Sequence, residues 1–259
     1  MVRGLDTFKE YFEKFPENYI IIGGTACDII IEEAGFTPRA TRDIDMILVV
    51  EALTSDFVKQ FWKFIDDGNY EVTEKSEDER NYYRFMKPEK QEFPFQIELF
   101  SRTPDAVDLE EPGHLTPIPT EGELSSLSAI LMDEAYYNFM LEHRMLEGDL
   151  HYANKEALIC LKAKAFIEIS ERIADGSTED KKHLKKHKAD IFRLVAMFAR
   201  QDEFELPESI KADMQDFINM ISEELPDKAI FKSMGMGSID SNKLFEQLVK
   251  SFGLTKKEG

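Results

Sequence analysis

Residues 19–50 constrain this chain more than any other stretch. YIII, residues 19–22, is an apolar run that ends at a glycine pair, Gly23-Gly24. Residues 25–33 then carry a helical pattern, and DIDMILVV, residues 43–50, opens a second apolar run on two acids. A strand that turns through glycines into a helix brings main-chain N–H groups close to an anion at the helix start. Side chains alternate along a strand, so Asp43 and Asp45 point to one side, about 6–7 Å apart. Carboxylates so placed are hard oxygen ligands for a divalent ion. A phosphate grip beside a metal-binding acid pair implies metal-dependent handling of a nucleoside triphosphate.

The rest of the chain organises around this unit. An amphipathic helix is expected over 5–16. A further helix is expected over 55–66, with Phe57, Phe61 and Phe64 or Ile65 at helical spacing and Gly68-Asn69 closing it. Strands follow at 70–73, 82–86 and 95–100, the last with Gln96, Glu98 and Phe100 on one face. Residues 102–124 hold most of the prolines and read as loop with an extended piece at 115–118. Short strands at 127–132 and 149–153 flank a helix expected over 134–147. From residue 155 the pattern is helical, with helices at 155–174, 178–200, 208–223 and 241–252. The expected fold is therefore α/β (α+β), a mixed sheet covered by helices and followed by a helical domain. The border falls near 150, giving domains 1–150 and 151–259.

Composition narrows the function. No run approaches the roughly 20 apolar residues of a membrane span, and MVRGLDTFKEYFEKF is amphipathic rather than a signal peptide. Cys27 and Cys160 lie in apolar helical sequence, as reduced core thiols of a cytoplasmic protein do. The formal net charge of −19 argues against a surface that coats nucleic acid. The densest positive run is KKHLKKHK, residues 181–188, in which Lys181, Lys182, Lys185, Lys186 and Lys188 make either a solvated helix face balancing nearby acids or a local patch for the phosphates of an RNA end. His183 and His187 are four residues apart but lack a third ligand, so they read as a surface pair rather than a zinc site.

A third acid completes the set. Glu98 lies in FQIELF between Ile97 and Leu99, and an acid among such neighbours needs a partner. A haloacid-dehalogenase-type DxD is a poor reading, because those sites lack the glycine turn and have Thr or Val where this chain has Ile47. With Gly23-Gly24, Asp43-Ile44-Asp45 and Glu98 in place, the chain resembles the nucleotidyltransferase superfamily, the DNA polymerase β-like fold. It looks most like the AbiEii-type toxin nucleotidyltransferases. That subgroup's Arg-x-Thr-x-Asp-x-Asp stands here as Arg39 to Asp45. Its helix lysine is matched by Lys162 in LKAKA, and its later basic-Asp helix by Lys186 to Asp190. The 18 residues between Gly24 and Asp43 exceed the superfamily's usual spacing, and Thr25 stands where many members have Ser.

The resemblance implies that Asp43, Asp45 and Glu98 hold Mg²⁺ or Mn²⁺, and that the reaction transfers a nucleoside monophosphate from an NTP to an acceptor. It implies a nucleotide site made by Gly23, Gly24, Thr25, Arg39, Lys162 and Asp190, with Asp190 orienting Lys162. Arg42 is a further candidate for neutralising triphosphate, whereas Lys164, about 200° round the helix from Lys162, should face solvent. The acceptor is left open among an RNA end, a protein side chain and a small molecule, and an antitoxin protein is a further candidate partner. A catalytically silent nucleotide-binding or interaction module is the alternative use of the same residues.

Overall fold

The computed structural model describes residues 2–72, 83–100, 133–176, 181–237 and 239–256. Its contacts divide the chain into two compact units. One comprises Met1–Asp28 with Ala40–Asn154, the other Ile29–Arg39 with Lys155–Gly259. The second unit thus takes in residues 29–39, which a single cut near 150 leaves with the first.

The first unit is built on a mixed sheet. Its described strands are β1 (Tyr19–Ile22), β2 (Asp43–Leu48), β3 (Glu71–Val72), β4 (Tyr83–Met86), β5 (Gln96–Phe100), β6 (Arg144–Glu147) and β7 (Leu150–Ala153). They lie in the order β3-β4-β5-β2-β1-β7-β6. β2 runs parallel to β5 and β1 to β7, while the other neighbours are antiparallel. All four side chains of β1 are buried, as a central strand covered on both faces requires.

One sheet face carries Tyr19, Ile44, Phe85 and Ile97, and helices close over it. α1 (Leu5–Phe12) supplies Phe8 and Phe12, and α3 (Ser55–Gly68) supplies Phe57, Phe61 and Phe64. Phe12 meets Phe57, Phe61 and Phe64 at ring separations of 5.3–6.3 Å, Phe8 stands edge-on to Tyr19 at 5.2 Å, and Phe61 to Phe85 at 5.5 Å. Such pairs add about 0.5–1.5 kcal/mol each beyond the area they bury. α3 starts where Thr54 caps the Phe57 N–H at 3.2 Å, and stops at Asn69, whose φ of +50° ends the helical path. The opposite face carries the acids.

Some expected elements take other bounds. The first helix stops at Phe12, and a short 3₁₀ turn, Pro16–Asn18, leads into β1. The helix expected over 134–147 is instead α4 (Glu134–Glu142) followed by β6. RMLE contains good helix formers, but Gly148 at φ +59° turns the chain back, and pairing with β7 decides the conformation. The extended pieces expected at 115–118 and 127–132 lie outside the described residues.

The second unit centres on α5 (Lys155–Ala174), buried on every side over residues 157–163. α6 (Lys182–Val195) and α7 (Glu208–Ile221) pack against it, and a four-residue helix α8 (Ala229–Lys232), not foreseen from sequence, and α9 (Ser241–Ser251) pack against α6. Residues 29–39 join this unit through the Thr37 N–H, which donates to Met234 O at 3.1 Å. Cys160 is fully buried, which pushes its thiol up, and Cys27 is buried in the first unit; neither is in a disulfide. Among the described residues, no helix is long and apolar enough to cross a membrane.

Candidate active site

The site starts at the turn between β1 and α2 (Gly23–Glu33). Gly23 has φ +69°, and a Cβ there would run into the Asp45 carboxylate. Glycine is thus needed for two reasons, the left-handed backbone and the close approach of the acid behind it. Gly24 follows as the second residue of the helix, whose first N–H groups have no partner within it. Thr25 is fully buried, and its hydroxyl donates to Asp43 O at 2.6 Å. The Thr25 side chain therefore ties the turn to β2, and what it offers a phosphate is main-chain N–H.

The strand register sets the acids. Asp45 lies opposite Ile22 on one side and Glu98 on the other, while Asp43 lies opposite Gln96. Neighbouring strands are about 4.8 Å apart, and partners in register share a face. Asp43, Asp45 and Glu98 therefore stand on the same face of two adjacent strands. Beyond Glu98 comes Arg84, its partner on β4, with the guanidinium Nε 2.5 Å from Glu98 Oε1. Gln96 donates to that same oxygen at 2.8 Å. Burial pushes the Glu98 carboxyl from its ordinary 4.5 up to about 7, and Asp45 pushes the same way, against the pull of Arg84.

These residues fit a hard divalent ion by donor type: three carboxylates, no nitrogen or sulfur, and glycine backbone packed behind one of them. Among the described residues, however, no three His, Cys, Asp or Glu side chains close on one point as a finished metal cage does. Glu98 is turned along the sheet toward Arg84 and Gln96. Arg84 and Gln96 are the site residues that sequence reasoning missed as partners of Glu98. Gln96 was legible as a same-face neighbour, but Arg84 needed the register of β4 on β5.

The second unit holds a cluster of opposite character. Lys162 is buried in α5 and donates to Asp190 Oδ2 at 3.0 Å; Asp190 is buried in α6. Arg193, one helical turn on, reaches Asp190 Oδ1 at 2.8 Å, and the Arg39 Nη2 lies 3.5 Å from Oδ2. Despite burial, the three cations, Lys162 foremost, hold the Asp190 carboxyl well below the usual carboxylate range. His187 belongs here too. Its Nδ1 is shut off from solvent without a partner, and burial together with Lys162 lowers its pKa to about 3. The reading of His183 and His187 as a surface pair thus fails for His187.

Other candidates are placed elsewhere. Arg42 is exposed, and its carbonyl accepts from Phe95 N at 2.9 Å. Lys164, expected in solvent, is only 26% exposed and is paired with Asp213 at 2.9 Å. Of the basic run, Lys181, Lys182, Lys185 and Lys186 are exposed. Lys188 does not belong with them: it is buried, and its Nζ donates to Glu224 O at 2.6 Å.

No protein-family model matches the chain, and no curated protein matches it. Among solved structures, an antigenic nucleotidyltransferase-like protein from Paracoccidioides brasiliensis is similar at 14% identity and a TM-score of 0.44, over 88% of this chain and 97% of that one. That likeness is too distant to transfer a site or an activity.

Proposed function

We propose that this chain is a metal-dependent nucleotidyltransferase. The observation that carries the reading is the row of acids. Asp43, Asp45 and Glu98 share one sheet face in register, and the glycine turn is packed directly against Asp45. Asp43, Asp45 and Glu98 would hold Mg²⁺ or Mn²⁺. When bound, the metal neutralises phosphate charge and makes the α-phosphorus a better electrophile. The main-chain N–H groups at Gly23 to Thr25 would receive triphosphate oxygens at the start of α2. Lys162 and Arg39, held by Asp190, would supply cationic contacts for the nucleotide. An acceptor oxygen would attack the α-phosphorus, forming a new P–O bond as the bond to the β-phosphate breaks. Pyrophosphate leaves, and Glu98 stands as acceptor for the hydroxyl proton. Positioning and charge neutralisation carry such a reaction.

The exposed Lys181, Lys182 and Lys185 favour an RNA end as acceptor. The AbiEii-like motifs make a toxin, opposed by an antitoxin protein, the biological setting of this reading. The test is incubation of the protein with Mg²⁺ and NTPs labelled at the α- or the γ-phosphate, over RNA, protein and small-molecule acceptors. Transfer of α-label with release of pyrophosphate, lost in Asp45→Asn, is expected. Transfer of γ-label alone would make the protein a kinase, and NTP binding without transfer a silent module.

A further inference from the structure

One face of α2 holds the head of β2 at two main-chain points. Thr25 Oγ1 donates to Asp43 O at 2.6 Å, and three residues along the helix Asp28 Oδ2 accepts from Thr41 N at 2.7 Å. Residues three apart on a helix share a face. Both side chains are buried, Thr25 fully and Asp28 to within 1%. Just before the held segment, Ala40 sits at φ +63°, a left-handed conformation that a residue with a Cβ adopts only when its surroundings impose it. Asp28 Oδ1 and Thr41 Oγ1 are both shut off from solvent without a partner. A buried carboxyl that satisfies one oxygen and strands the other is an expensive way to end a loop, since burying an unpaired polar atom is unfavourable.

We propose that Asp28 is a positioning residue for the metal-binding acids, acting with Thr25 as a clamp on the main chain of residues 40–43. The physical need is phase. The side-chain period of a strand is two, so a one-residue slip at the head of β2 turns Asp43 and Asp45 onto the face packed by α1 and α3. Thr25 fixes the Asp43 carbonyl, Asp28 fixes the Thr41 amide, and the strained Ala40 absorbs the path between helix and strand. The inference rests on the metal site proposed above, and it gives Asp28 and Thr41 a role in that site.

The test compares wild type with Asp28→Ala and Asp28→Asn, the latter keeping an oxygen for the Thr41 N–H. Mn²⁺ affinity is read by electron paramagnetic resonance without nucleotide, and hydrogen exchange of the Thr41 to Asp45 amides in parallel. Asp28→Ala is expected to weaken Mn²⁺ binding about tenfold or more, the range that supporting residues around metal sites show. It should also speed exchange at Thr41 and at Asp43 to Asp45, with Asp28→Asn close to wild type in both. If Asp28→Ala alone does not fold, the substitution is made with Ala40→Gly, which accepts the positive φ without strain. Unchanged Mn²⁺ affinity in a folded Asp28→Ala protein would overturn the proposal and leave Asp28 as a loop anchor, as would Asn and Ala variants that behave alike. If wild type itself binds no Mn²⁺, the metal reading fails. The clamp then stands only if the exchange change spreads from Thr41 to Asp43 to Asp45, and falls if it stays at Thr41.

Discussion

Two charge clusters among the described residues are opposite in character. In the first unit, three carboxylates share a sheet face, Arg84 is the cation paired with one of them, and the Glu98 carboxyl is pushed up. In the second, one carboxylate, Asp190, meets three cations and is pushed down. Burial raises both acids, and the neighbouring charges decide the outcome. In the function proposed above, the acid-rich cluster holds a divalent ion. In the same proposal, the cation-rich cluster meets the triphosphate.

The sharpest way to break the comparison is to remove Asp190, the acid on which Lys162, Arg193 and Arg39 converge. Asp190→Ala removes the carboxylate to which buried Lys162 donates, and a buried pair broken from one side costs about 3–5 kcal/mol. Thermal unfolding should show the loss, with part of it restored by Lys162→Met. A variant as stable as wild type would mean that Asp190 is not holding the cluster.

Glu98→Gln should act in the opposite direction. With its pKa raised in the fold, Glu98 keeps its proton in the native state while the unfolded chain has lost it, between about pH 4.5 and 7. The native state then binds more protons, so stability falls as pH rises through that window and is level above it. The difference is up to about 3 kcal/mol in the metal-free protein. Glu98→Gln should therefore be the more stable protein at pH 8 and should flatten this part of the pH profile, as saturating Mg²⁺ should for wild type. Denaturant midpoints at pH 5 and 8 check this; a Gln variant with the wild-type slope would contradict it.

Anion binding gives a smaller effect. Metal-free tripolyphosphate at ten times its Kd should stabilise wild type by about 1.4 kcal/mol. Lys162→Met should lose that stabilisation and Asp45→Asn should keep it, as read by Tm against ligand concentration. Equal stabilisation of both variants would place the anion elsewhere. Smallest is Thr25→Val, which keeps shape and loses the hydroxyl bond to Asp43 O, at about 1 kcal/mol by denaturant unfolding.

Local pattern made part of this legible. Strand alternation puts Asp43 and Asp45 on one side whatever the fold, and the helical pattern of 155–174 survives in α5 unchanged. What lay beyond it were facts of register and tertiary contact. That Glu98 stands beside Asp45, with Arg84 beyond, depends on pairing between strands far apart in sequence. The Thr25 hydroxyl suggested a phosphate ligand until its main-chain partner was known. Lys188 looked like one of five surface lysines, yet with Ile191, Phe192 and Val195 it lies at i, i+3, i+4 and i+7, the spacing of the buried face of α6. Charge outweighed periodicity in that reading. The β6 hairpin was misread for the opposite reason: its helix formers gave no local sign of the partner strand.

The most direct test of the acid cluster is a calorimetric titration of Mn²⁺ into nucleotide-free wild type, Asp45→Asn and Lys162→Met at pH 8. Wild type and Lys162→Met should bind Mn²⁺ alike, and Asp45→Asn should bind at least tenfold more weakly, because of the two substituted residues Asp45 alone belongs to the proposed metal site. Equal affinity in wild type and Asp45→Asn would show that the acid face of the sheet is not where the metal goes.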